Sequence, residues 1–249
     1  MGPNRGAGVA AGVLFIVATV ADLISRAVLV QPILGAPDYL VRVAASQGQV
    51  LLGALFLLIG AVAAAGIAIA LYPVLRKHSE ALGLGSVGFR LIEGVLYLGI
   101  VVCLLLLVAL SRGPESAGAT AVSAREVAGT LLMAGRDALG EVAVLAFGLG
   151  ALMYYGVFYR TRLLPRWLSA WGILAIVSVM ASGVLVMLRL AEPMSTTQIV
   201  LAAPIGVQEM VLAVWLIARG FGPSAVPSHD LPATKPAISA LDDHAPVAA

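Results

Sequence analysis

Eight ionisable residues fall inside long apolar runs of this chain: Asp22, Arg26, Arg90, Glu93, Arg136, Asp137, Glu141 and Glu209. Placing an arginine or an acid near the centre of a bilayer costs about 2.5–3.5 kcal/mol on insertion scales, so such residues persist where partners or water receive them. Five of the eight are acids and three are arginines, so complete pairing still leaves two carboxylates without a guanidinium. In a low-dielectric interior a spare carboxylate either takes up a proton or holds a cation, and both couple a site to ion gradients. The chemistry in prospect is binding of a proton, a cation or a polar group, with Asp22, Arg90, Glu93, Glu141, Gln208 and Glu209 as the candidate binding residues. It requires the helices that carry them to turn these faces towards one another.

Spacing makes the demand more definite. Arg90, Glu93 and Tyr97 stand three and four apart, in one stripe of a helix where they partly neutralise one another. If that helix starts near Leu82, Arg90 is roughly 12 Å in and Glu93 is close to the middle of a core about 30 Å thick; if it starts nearer Val87, the two form an interfacial pair in the headgroup layer. Asp22 and Arg26 are four apart on one face of the first apolar run. Asp137 and Glu141 share a face from which Arg136 is turned by about 100°. Arg136 and Asp137 suit either a solvated helix end or a buried site, whereas Glu141 falls near mid-depth. Gln208 and Glu209 follow Pro204, which removes one helix hydrogen bond and frees a carbonyl inside the membrane, so a kink or a locally opened backbone is expected. Such carbonyls hold ions in some transporters and are structural in most kinked helices.

Other chemistries find less support. Cys103 is the only cysteine and lies in the middle of an apolar run, which excludes an intrachain disulfide and a Cys-based metal site. His78, His229 and His244 fall in loop or tail, which removes the paired axial ligands of a membrane haem, and no cofactor or metal is expected. An intramembrane lipid-modifying enzyme would have to use Glu93, Glu141 and Glu209 as an acid–base or oxygen-ligand set, with no His-plus-acid metal motif and no G-x-S-x-G elbow. A non-catalytic scaffold, or an assembly or stress protein, needs no site at all; its charges would only hold the helices in register.

The elements that must position these residues are membrane helices. The chain has 249 residues, 61% of them hydrophobic and 11% charged, with a mean hydropathy of +1.02. In soluble proteins about a quarter of residues are charged. The apolar runs are too long and continuous for an outer-membrane barrel, so an all-α bundle of six transmembrane helices is expected, over 8–30, 50–72, 82–111, 125–159, 167–190 and 197–218. These make one domain, 1–221. The first run is read as a retained span rather than a cleaved signal peptide, because it continues past Asp22. Pro32, Gly35 and Pro37 end it, and the PDYLVRVAASQ segment that follows suits the membrane interface. The fourth run has no proline and extends roughly 50 Å, so part of it projects or tilts. Residues 222–249, rich in Pro and Ala and free of aromatics, read as a disordered cytoplasmic tail.

Orientation follows from the basic residues. With both termini inside, Arg5, Arg76, Lys77, Arg160, Arg162, Arg166, Arg219 and Lys235 lie on the cytoplasmic side, against Arg26, Arg42, Arg112, Arg125 and Arg189 on the outer side, and the two basic inner loops decide the orientation. The net charge of +2 belongs mostly to these loops and implies no nucleic acid partner.

Four stretches carry a resemblance to a known family: GAPDYLVRVAASQ, FRLIEGVLYLG, YRTRLLPRWLSAWGILA and PIGVQEMVLAVWLIARGF. In this combination the chain resembles a family of bacterial multi-pass proteins known as domain of unknown function 4386, over about Arg5 to Gly222. The resemblance implies a six-span bacterial membrane protein and brings no role for Arg90, Glu93, Gln208 or Glu209. The expected protein thus lies in the bacterial cytoplasmic membrane, with the lipid bilayer as its partner. Its expected function is proton- or cation-linked binding or transport of a small polar or amphipathic molecule, the scaffold and the enzyme being the alternatives.

Overall fold

The computed structural model describes residues 3–112, 119–192 and 195–222, and among them it is helical apart from the turns. In order come α1 (Pro3–Leu23), a π-helical stretch (Ile24–Val30), α2 (Gln31–Leu34), α3 (Tyr39–Ala45), α4 (Gln47–Leu75), α5 (Glu80–Ser111), α6 (Ala119–Thr161), α7 (Arg166–Met187) and α8 (Thr196–Ala218). Six stretches are long and apolar enough to cross a membrane: Arg5–Leu34, which joins α1, the π-helical stretch and α2, then α4, α5, nearly all of α6, α7 and α8. The expected six-span all-α bundle is what the chain forms, and it is a multi-pass membrane protein. From residue 223 onwards the expected tail lies outside the described residues, as does 113–118 of the loop after α5.

The spans pack in chain order, each on the one before and the one after, and α8 closes back on α1. An even number of spans puts both ends on one face, which we call the terminal face; a Cβ on Gly8 of α1 would lie 3.6 Å from the Cα of Gly220, just past α8. Two apolar cores hold the ring together. Nearer the terminal face, Phe15, Tyr154, Tyr155, Phe158, Leu168 and Leu212 interlock, with Tyr155 edge-on to Phe158. Nearer the far face, Val30, Leu34, Val43, Leu57, Leu104 and Leu107 form a second core, and the short helix α3 lies across α2, α4 and α5 there. The outward faces carry exposed Val62, Val95, Leu174 and Val214, the surface that acyl chains cover.

The far-face half departs from the sequence reading at Pro32. Instead of ending the span, the helix runs through to Leu34. Proline has no N–H to give and its ring crowds the carbonyl four residues back, here that of Val28. The turns before it widen to i→i+5 bonding, as from Gln31 N–H to the Arg26 carbonyl. Groups on α4 steady the widened turns: the Ser25 hydroxyl donates to the Gly53 carbonyl at 2.7 Å, and Gln49 Nε2 donates to the Leu29 carbonyl at 3.0 Å.

Helix length also moves Glu141. With 22 and 23 residues, α7 and α8 are about 33–35 Å long, whereas the 43 residues of α6 make about 65 Å. Their ends align at the terminal face, where α6 stops at Thr161 and α7 starts at Arg166, so α6 stands well beyond α7 on the other side. Glu141 is level with the last turns of α7: its carbonyl would be 4.0 Å from a Cβ on Gly183. It sits near the far end of that span rather than at mid-depth.

Candidate functional site

Helix α5 begins at Glu80, where the Ser79 hydroxyl accepts from Leu82 N–H at 3.3 Å. Arg90 and Glu93 therefore sit roughly 15 and 20 Å along it, well inside the bundle. Both are buried, 2% and 3% exposed. Arg90 Nη1 lies 2.9 Å from Glu93 Oε2, close enough for strong attraction, yet neither atom has an aligned hydrogen bond. The remaining contacts of Arg90 come from neighbouring helices: Nε donates to the Ala64 carbonyl of α4 at 3.3 Å, and the guanidinium lies 4.9 Å from the centre of the Phe147 ring on α6. Gly150 makes room for its stem, since a Cβ there would be 3.2 Å from Arg90 Cγ.

From the other side come α1 and α8. Arg26 Nε bonds Asp22 Oδ1 at 2.7 Å, and its guanidinium lies 5.3 Å from the Tyr97 ring centre, tying the π-helical stretch to the polar stripe of α5. The Thr19 hydroxyl donates to Glu209 Oε2 at 3.3 Å. Arg90 and Glu209 interact electrostatically, but among the described residues no guanidinium lies within ion-pair distance of Glu209.

These groups line one cavity of about 610 Å³, to which all six spans contribute. On the first two spans it falls between the two apolar cores: after Phe15 and before Val30 on the first, and between Leu57 and Leu71 on α4. Asp22, Arg26, Arg90, Glu93, Tyr97 and Glu209 supply its polar wall, and Ala, Gly, Val and Ile supply most of the rest. Three carboxylates face two guanidiniums, an excess of one negative charge if all are ionised. Among the described residues no three His, Cys, Asp or Glu side chains are grouped to hold a metal ion.

Of the residues singled out from sequence, Asp22, Arg90, Glu93 and Glu209 meet in this cavity, whereas Glu141 and Gln208 do not line it. Gln208 is fully buried and has a partner at each end of its amide: its Oε1 accepts from the Tyr155 hydroxyl at 2.5 Å and its Nε2 donates to the Leu168 carbonyl at 3.2 Å. It ties α8 to α6 and α7. Pro204 leaves α8 continuous, and Ser178 on α7 donates to the Leu201 carbonyl nearby at 2.8 Å. The reading from sequence did not include Thr19 or Phe147. Thr19 was within reach, because 19, 22 and 26 recur at helical spacing on one face. Phe147 carries no such mark.

A bundle of six spanning helices around a charge-bearing cavity is the architecture of an integral membrane protein with an interior polar site. The family model described as a domain of unknown function matches residues 10–220, and the chain belongs to that family. No curated protein and no solved structure matches it.

Proposed function

We propose that the protein binds a proton or a monovalent cation, and with it a small polar or amphipathic molecule, in the cavity between its six spans, and that this binding serves transport across the bilayer. The observation that carries the reading is the charge imbalance at Glu209. Asp22 is held by Arg26 and Glu93 by Arg90, which leaves Glu209 with the Thr19 hydroxyl as its hydrogen-bond partner. One hydrogen bond to an ionised group contributes about 1.5–3 kcal/mol, whereas withdrawing a carboxylate from water costs several. Water in a cavity of this size supplies part of the difference, and a proton or a cation supplies the rest. A scaffold would meet each embedded charge with a counter-charge; Asp22 and Glu93 fit that pattern, whereas Glu209 has a neutral hydroxyl.

The basic loops at Arg76–Lys77 and Arg160–Arg166, both on the terminal face, support an orientation with both termini in the cytoplasm. The bacterial cytoplasmic membrane is the proposed location.

Proton uptake by the protein in lipid nanodiscs, followed with an indicator dye through an acid step, tests the reading. Glu209→Gln and Arg90→Ala are each expected to change the number of protons bound or the pH at which they bind. Uptake identical to that of the unaltered protein in both variants would refute it.

A further inference from the structure

The seam between α1 and α8 changes character along its length. In the terminal-face half it is tight: a Cβ on Gly12 would be 2.7 Å from the Ala213 carbonyl oxygen and 2.8 Å from Ile217 Cγ1, so only glycine lets the two backbones approach this closely. Thr19 and Glu209 bridge the seam one to two turns further on. Beyond that point the first span is drawn towards α4. Its π-helical stretch packs on α4, held by the Ser25 bond to Gly53 and the Gln49 bond to Leu29, and Val30 fills the space above Gly53, whose added Cβ would be 2.6 Å from Val30 Cγ2. Helix α8 does not follow. A Cβ on Gly206 would meet nothing within 4 Å, and Leu23, Arg26, Ala203 and Val207 line the cavity while remaining exposed on the outside of the bundle. The cavity thus opens sideways between α1 and α8, over roughly 10 Å of helix from Thr19 to Arg26.

We infer that this opening is a lateral portal for a monocationic amphiphile, whose charged head rests at Glu209 and whose apolar tail lies in the seam towards the surrounding lipid. The inference rests on the cavity being a binding site, as proposed above, and adds the class of ligand and its route. Charge selects the head. Both arginines of the cavity already face a carboxylate, so an anion would meet three acids and no uncommitted guanidinium, whereas a single positive charge neutralises the excess. The Arg90–Glu93 pair, Nη1 to Oε2 2.9 Å apart and more than nine-tenths buried, lines the same cavity and is closed on itself, which leaves Glu209 as the acid that meets the head. The tail is selected by the rim, where Leu23, Ala203 and Val207 offer an apolar path and no polar group beyond the Asp22–Arg26 pair.

Three probes separate head from tail when titrated into the full-length protein in nanodiscs: hexyltrimethylammonium, tetramethylammonium and hexanesulfonate. The first is expected to bind about tenfold or more tightly than the other two, and Glu209→Gln to weaken it by a similar factor. Gly206→Phe places a ring in open space at the portal, so it is expected to fold. It should abolish the advantage of hexyltrimethylammonium over tetramethylammonium while the proton uptake that depends on Glu209 persists. The portal is overturned if Gly206→Phe binds hexyltrimethylammonium as the unaltered protein does, or if hexanesulfonate binds equally well, even where proton uptake still depends on Glu209. Loss of that dependence would instead bring down the binding site itself.

Discussion

Gln208 and Glu209 are neighbours on one helix, both polar and both at mid-depth, yet they belong to two different regions of the molecule. Around Gln208 the helices α6, α7 and α8 are closed: the Tyr155 hydroxyl meets the oxygen of its amide and the Leu168 carbonyl meets the nitrogen, so each end has a partner. Around Glu209 the helices stand apart, a cavity intervenes, and one hydroxyl faces a carboxylate. The difference teaches that a polar residue inside a membrane bundle is a candidate site only to the extent that its partners fail to satisfy it. A satisfied one is a tie between helices.

The largest expected effect lies within the cavity. Arg90→Ala would leave Glu93 buried without its counter-charge, and breaking a buried pair in this way costs about 3–5 kcal/mol. Unfolding in mixed micelles with increasing denaturing detergent should show that loss, and the double variant Arg90→Ala, Glu93→Gln should recover part of it. A cost near zero for Arg90→Ala would mean that water already solvates Glu93 and that the cavity is not set apart from the aqueous phases.

Next in size is the tie at Gln208. Gln208→Leu removes both hydrogen bonds of the amide and leaves the Tyr155 hydroxyl and the Leu168 carbonyl buried, for which about 1–3 kcal/mol is expected. Proton uptake by the folded protein should be unchanged. If uptake fell with Gln208→Leu as far as with Glu209→Gln, the division between tie and site would collapse.

The smallest effect sharpens the contrast from outside the membrane. Asp38 and Arg42 have the same chemistry as the buried Arg90–Glu93 pair, 2.8 Å apart but half exposed at the start of α3. The hydrogen bond from Arg42, and then one from its own backbone, holds the Asp38 carboxyl below the usual carboxylate range. A lowered carboxyl contributes stability above its unfolded pKa and loses it as the pH falls through the folded one. Arg42→Ala should therefore shift the unfolding midpoint less than either variant above at neutral pH, and the shift should vanish on acidification. A midpoint change that grew in acid would contradict this sign.

Much of the architecture was legible in residue types alone. Runs of apolar residues cannot hide a chain's backbone in lipid except as helices, so the six spans followed from composition and length. The stripe of Arg90, Glu93 and Tyr97 was visible for a similarly local reason, helical periodicity. What the sequence left unread depends on relations between helices. Periodicity gives the face on which Gln208 or Glu209 sits but not whether a tyrosine 53 residues away occupies it. Pro32 looked like a stop because proline disfavours an α-helix, and a π-helical stretch steadied by Ser25 and Gln49 is a tertiary answer to that local problem. Glu141 was placed too deep because the depth of a residue on an over-long helix is set by the shorter helices beside it.

The account stands on Glu209 being the carboxylate that the cavity leaves for a proton or a cation. Infrared difference spectra of the protein in nanodiscs, recorded between acid and neutral pH, measure this directly through the carbonyl band of a protonated carboxyl group. The expected result is a band that Glu209→Gln removes and Gln208→Leu retains. A band that survives unchanged in Glu209→Gln would contradict the account.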